Sequence, residues 1–255
     1  MLEHISYQNL AIAVAGMFGG IVDASVGGGG FIMLSIMMTL GIPAHLSLGA
    51  NKVVILIGSL FAIYRFGKMN MIEWRIWHLK SYVIIIIASI FGSIAISISP
   101  SNLIHKISPI IMCLLLLYQL YHVLYENSNI RDQRISTSSF IWIFCTLVGF
   151  YAGLFGPGVT TIWIIAMCAL LGKDSLWAVS NCKLFALVGC IPTVIIFLIQ
   201  DLVPYYVTSF LIAGYLVGTE IGILLTVRCG IKFVNMLLII MLTTLTIMLT
   251  QKYYF

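Results

Sequence analysis

Two apolar stretches of this chain, Leu10–Leu40 and Phe140–Leu171, are too long for one straight crossing of a bilayer, and both are interrupted by glycine. A hydrocarbon core about 30 Å thick is crossed by roughly 20 helical residues. The first stretch contains Gly27-Gly28-Gly29-Gly30-Phe31 and leads through Leu40-Gly41 to Gly49-Ala50-Asn51-Lys52. The second contains Gly156-Pro157-Gly158-Val159 and leads through Leu171-Gly172 to Ser180-Asn181-Cys182-Lys183. Gly27 and Gly158, Gly41 and Gly172, and Lys52 and Lys183 are each 131 residues apart, which marks an internal duplication.

The rest of the chain fits a membrane as well. Hydrophobic residues make up 61% of the 255 and charged residues 8%, whereas soluble domains carry about 25% charge. Plain spans are expected at Ala50–Phe66, Leu79–Ile98, Ile107–Leu124, Ala178–Ile199, Tyr205–Val227 and Ile231–Thr250. A β-barrel is excluded, because its strands alternate polar and apolar residues and these runs are apolar all round. The expected fold is an all-α polytopic membrane protein of two homologous repeats, residues 1–125 and 140–255, joined by a polar linker at 126–139. Each repeat holds one discontinuous or re-entrant helix and three transmembrane helices. Met1–Asn9 has no Lys or Arg before the apolar run, so no cleavable signal is expected. The six cysteines lie singly and read as small apolar fillers, and no metal or cofactor site is expected. The net charge of +5 comes from cations in short loops, which reads as membrane topology rather than as nucleic-acid binding.

Loop charges also bear on how the repeats are oriented. If each broken segment crosses once, the repeats are parallel, and Arg65, Lys68, Arg75, Lys80, Arg131, Arg134 and Lys252 face Lys106, Lys173, Arg228 and Lys232, seven against four. If each broken segment returns to its own side, Lys173, Arg228 and Lys232 join the first group and Lys252 leaves it, nine against two. Cytoplasmic loops collect Lys and Arg, so inverted repeats with both termini outside are expected in the cytoplasmic membrane.

Depth follows from helical rise. Phe31–Leu40 is ten residues, or about 15 Å at 1.5 Å each, which puts the glycine break near the midplane. A helix starting near Pro43 carries Lys52 to similar depth, and one starting near Asp174 does the same for Lys183. Broken backbone in a bilayer is tolerated only where it is buried in protein or lines a wet cavity. Gly27–Gly30 leave the amides that open the half-helix at Phe31 open to approach, and Val159, Thr160 and Thr161 open the second. With the positive helix poles and two ammonium groups, the expected site is for a small anion. Its candidate residues are Gly27, Gly28, Gly29, Gly30, Asn51, Lys52, Gly156, Gly158, Thr160, Thr161, Asn181 and Lys183. Gly16, Gly19 and Gly20 read as helix-packing positions. Asp23 and Glu220 are intramembrane carboxylates, so they are candidates for proton coupling or for pairing with a lysine. At the offset of 131 they correspond to Leu154 and Ser89.

Gly27–Val53 and Gly153–Leu184 resemble the duplicated signature of the TauE/SafE-type membrane proteins, the sulfite exporter and organosulfonate permease family. The resemblance implies secondary transport of a small sulfur-containing anion such as sulfite or an organosulfonate. Pro157, Val159 and Thr160 stand where the family's pattern would place further glycines, which implies a narrower pocket richer in hydroxyl groups. The alternatives are an anion channel, or a carrier of another small oxyanion or a carboxylate. An enzyme is not expected, because His4, His45, His78, His105 and His122 lie at or near segment ends rather than at depth.

Overall fold

In a computed structural model, the residues described are 2–74, 79–99 and 135–229, with the single positions Leu114, Met236, Ile240 and Thr243. The expected spans at Ile107–Leu124 and Ile231–Thr250, and most of the 126–139 linker, lie outside the described residues. The described residues form helices and no strands: α1 (Leu2–Ser25), α2 (Gly29–Thr39), α3 (Ala44–Lys68) and α4 (Leu79–Ser97), then α5 (Thr137–Leu154), α6 (Val159–Leu171), α7 (Ser175–Ile199) and α8 (Tyr205–Cys229). Among these, α3, α4, α5, α7 and α8 are long and apolar enough to cross a membrane. The order of helix, break, half-helix and two long helices thus occurs twice.

Local chemistry sets the boundaries. Gly28 and Gly158 precede the half-helices at φ of 84° and 81°, a left-handed conformation that costs a residue with a Cβ about 1–2 kcal/mol. Pro157 has no amide hydrogen to continue α5. Pro43 precedes α3, and the Asp174 carboxylate accepts from the Leu176 amide at 3.0 Å to cap α7. The helix-capping glycines are 130 residues apart, whereas Pro43 and Asp174 are 131 apart. A single offset of 131 therefore fails at the breaks. One extra residue sits between the second break and α7, and α6 has 13 residues to the 11 of α2. The true counterpart of Asp23 is Gly153, not Leu154.

Packing relates the helices pairwise. A Cβ on Gly214, Gly218 or Gly222 would fall 1.9–2.5 Å from the carbonyl oxygens of Ala13, Met17 and Ile21 respectively, so α8 lies against α1 with both running the same way. Gly16 and Gly20 approach Leu211 and Tyr215 as closely from the other side, which fits the packing role read for them. Gly149 and Gly153 meet Ile85 and Ser89 in the same parallel sense, joining α5 to α4. Gly58 meets Tyr215 and Arg65 pairs with Glu220, so α3 runs with α8. Tyr82 contacts Phe185 and Ser97 bonds Gln200 at 3.1 Å, so α4 runs with α7. Gly49 touches Leu202 while Lys52 lies over Phe197, so α3 and α7 run oppositely. In the first break the chain reverses, since Gly29 lies against Asp23 and Met33 against Gly19.

Candidate functional site

The two breaks face each other. A Cβ on Gly27 would fall 2.4 Å from the Thr161 amide nitrogen, and one on Gly30 would fall 3.2 Å from Pro157 Cα. Each break thus abuts the first turn of the opposite half-helix, and the positive ends of α2 and α6 converge.

The lysines cross over between the halves. Lys52 on α3 donates from Nζ to the carbonyl oxygens of Ala152 and Gly153 at 2.5 and 2.8 Å, at the end of α5. Lys183 on α7 donates to the carbonyl of Asp23, at the end of α1. The last carbonyls of a helix lack partners within the helix and form its negative pole, so an ammonium there answers both demands. The two arrangements differ in one residue. Asp23 adds a carboxylate, and its Oδ2 accepts from Lys183 at 2.8 Å and from the Tyr215 hydroxyl at 2.7 Å. Its Oδ1 accepts from Thr160 Oγ1 at 3.1 Å. Lys183 is therefore neutralised in a buried ion pair whose members are 1% and 5% exposed. Gly153 has no side chain, and Lys52, itself 2% exposed, has no carboxylate partner among the described residues. Its Nζ lies over the Phe197 ring, 5.7 Å from the centroid.

A small cavity sits against the second break. None of Gly27, Gly28, Gly29 and Gly30 of the first break lines it, and the close contacts of Gly27, Gly29 and Gly30 are to Thr161, Gly19 and Asn51 respectively. Asp23, Asn51, Lys52, Gly156, Gly158 and Thr160 line it, with Ile55, Ala152, Pro157, Val159, Ala186 and Cys190. The other candidates stand around it. Gly27 and Thr161 press against each other, Gly28 caps α2, and Lys183 stands behind Asp23. A Cβ on Gly29 would fall 1.9 Å from the Gly19 carbonyl oxygen, and one on Gly30 would meet the Asn51 side chain at about 3.1 Å. At Gly29 the close approach is therefore to α1. Asn51 and Asn181 are not counterparts. Asn51 Nδ2 donates to Gly30 O at 3.1 Å and ties α3 to the start of α2. Asn181 accepts from the Glu73 amide at 3.0 Å and donates to Met71 and Trp177 carbonyls, holding the segment after α3 away from the cavity. Glu220 pairs with Arg65 rather than with a buried lysine, and both are partly exposed.

Tyr215, Cys190 and the end of α5 were not singled out from the sequence. Tyr215 carried a usable signal, since a buried phenol normally finds a hydrogen-bond partner and this one lies inside an apolar helix. The carbonyls of Ala152 and Gly153 carried none, because their part depends on where α5 stops.

The family model described as "Sulfite exporter TauE/SafE" matches residues 12–249. Relatives are similar along nearly the whole chain. A "Probable membrane transporter protein" of Haemophilus influenzae is 26% identical, covering 93% of this chain and 91% of its own length. "Probable membrane transporter protein ORF9" of Sinorhizobium sp is 28% identical, covering 97% and 95%. "Probable membrane transporter protein YfcA" of Escherichia coli K12 is 24% identical, covering 88% and 82%. No solved structure is a significant match.

Proposed function

The chain belongs to the TauE/SafE family, a family of multi-pass membrane transporters, and from that premise we propose that it is a secondary carrier of a small sulfur oxyanion or sulfonate. The observation that carries this reading is Lys52: a buried ammonium beside a cavity, held by carbonyls alone, at the start of the second half-helix. An uncompensated charge in a medium of low dielectric constant attracts a counter-ion far more strongly than the same charge in water. Helix N-termini add directed amide donors, and discontinuous helices meeting between repeats are a recurrent way to bind an anionic substrate.

We infer inverted repeats. In the contacts described above, α1, α3 and α8 run one way and α4, α5 and α7 the other, so α1 opposes α5, α3 opposes α7 and α8 opposes α4. The reversal at the first break and the loop-charge distribution of nine against two agree with that arrangement. It supplies two related conformations for access from either side. Asp23 is the favoured coupling group, because it lines the cavity while Glu220 is tied to Arg65.

The test is uptake of labelled sulfite into proteoliposomes preloaded with unlabelled sulfite. A carrier accumulates label transiently against its gradient. Leakage that dissipates the gradient without counterflow indicates a channel and contradicts the reading. In the same assay Asp23→Asn is expected to lose accumulation driven by a pH gradient yet keep exchange, and Glu220→Gln to keep both. Full pH-driven accumulation by Asp23→Asn rules out coupling through that carboxyl.

A further inference from the structure

The cavity holds a second unmet demand besides the Lys52 charge. Asn51 is 1% exposed and lines it, and its Nδ2 faces the Gly30 carbonyl oxygen at 3.1 Å. That contact fixes the amide orientation, since the opposite flip would set two acceptors against each other. Oδ1 is then the remaining polar atom of the side chain, and it is buried with no hydrogen-bond partner. A buried acceptor without a donor is costly. The charges add a constraint: while Asp23 is ionised it cancels Lys183, which leaves the single positive charge of Lys52 among the charged side chains described around the cavity.

We propose that the site selects a monoanion that itself donates a hydrogen bond, an oxyanion with one O–H or N–H group, over a dianion or a monoanion with acceptors only. This rests on the anion-site reading above and narrows it. The single ammonium and the first-turn amides of α6, the half-helix whose start lines the cavity, take the negative oxygens. Asn51 Oδ1 takes the hydrogen of the remaining substituent. Hydrogen sulfite in its S–OH form, and small sulfonates substituted with a hydroxyl group, have this chemistry. A doubly charged sulfate leaves both one charge unmatched and Oδ1 unpaired.

Three nearly isosteric tetrahedral anions separate these demands: sulfamate, a monoanion with N–H donors; methanesulfonate, a monoanion without a donor; and sulfate, a dianion without a donor. Their binding to the purified full-length protein at neutral pH is measured by competition against labelled sulfite. Sulfamate is expected to compete at least about tenfold better than methanesulfonate, the scale on which an unpaired buried polar group is felt, and sulfate is expected to be weakest. In Asn51→Leu the preference for sulfamate over methanesulfonate should collapse to less than about twofold. The wild-type comparison alone decides the matter if that variant does not fold. Equal competition by sulfamate and methanesulfonate, with both dependent on Lys52, overturns the proposal and leaves the anion site standing. A preference for sulfate overturns it as well. Failure of sulfite and all three anions to bind overturns the underlying site and the proposal with it.

Discussion

Lys52 and Lys183 occupy corresponding turns of α3 and α7, yet they do different work, and substitutions should separate them. Lys183→Met leaves the Asp23 carboxylate buried with only the Thr160 and Tyr215 hydroxyls. Breaking a buried pair in this way costs about 3–5 kcal/mol, so the variant is expected to unfold at much lower temperature in detergent. The double variant Lys183→Met/Asp23→Asn should recover a large part of that loss, because no charge is then stranded. Thermal unfolding of the purified proteins checks this, and equal stability of the single and double variants contradicts it. From residue types alone the two lysines looked equivalent. The difference is Asp23 against Gly153; an offset of 131 already leaves Asp23 without a charged counterpart, but the sequence does not say which lysine it pairs with.

Among the elements, the helix starts were the most legible. Pro43 and Asp174 mark the starts of α3 and α7 by the absence of an amide hydrogen and by a capping carboxylate. The first break was less so, since a run of four glycines offers several places to restart a helix. Phe31 was the expected opening residue and α2 begins at Gly29. Gly29 and Gly218 show why these small residues are needed, each with a backbone carbonyl oxygen 1.9 Å from its missing Cβ. Gly218→Ala is expected to push α8 off α1 and Gly29→Ala to push α2 off α1, both lowering the yield of folded protein. Gly41→Ala is the control, since no atom lies within 4 Å of its missing Cβ and only its φ of 86° opposes the change. Its cost is about 1–2 kcal/mol. Melting temperatures in detergent rank the three, and a Gly218→Ala protein as stable as the parent contradicts the close α1–α8 contact.

For the molecule as a whole, the helix directions and the loop charges both support the proposed inverted topology. It predicts that cysteines introduced at Lys173 and Arg228, in a background without native cysteines, react from the same side of the membrane as the Phe66–Leu79 and Glu126–Ser139 loops. The proposed topology puts that side in the cytoplasm. Labelling of the Lys173 position from outside intact cells contradicts inverted repeats. The apolar lengths and loop charges lead to this arrangement as an expectation from the sequence. A single midplane site between the repeats was expected from the matching depths, but the crossing of each lysine to the broken helix of the other half was not, because it depends on where α1 and α5 stop.

The central claim is that Lys52 holds an anion in the cavity at the second break, and equilibrium binding of sulfite to purified wild-type, Lys52→Met and Lys52→Gln proteins tests it most directly. Met keeps most of the stem, and Gln keeps a donor for the carbonyls of Ala152 and Gly153 without the charge. Hydrogen bonds to charged groups contribute about 1.5–3 kcal/mol, so affinity should fall by roughly tenfold to a hundredfold in both variants while the proteins remain folded. Unchanged affinity in both would show that Lys52 serves only to cap the end of α5.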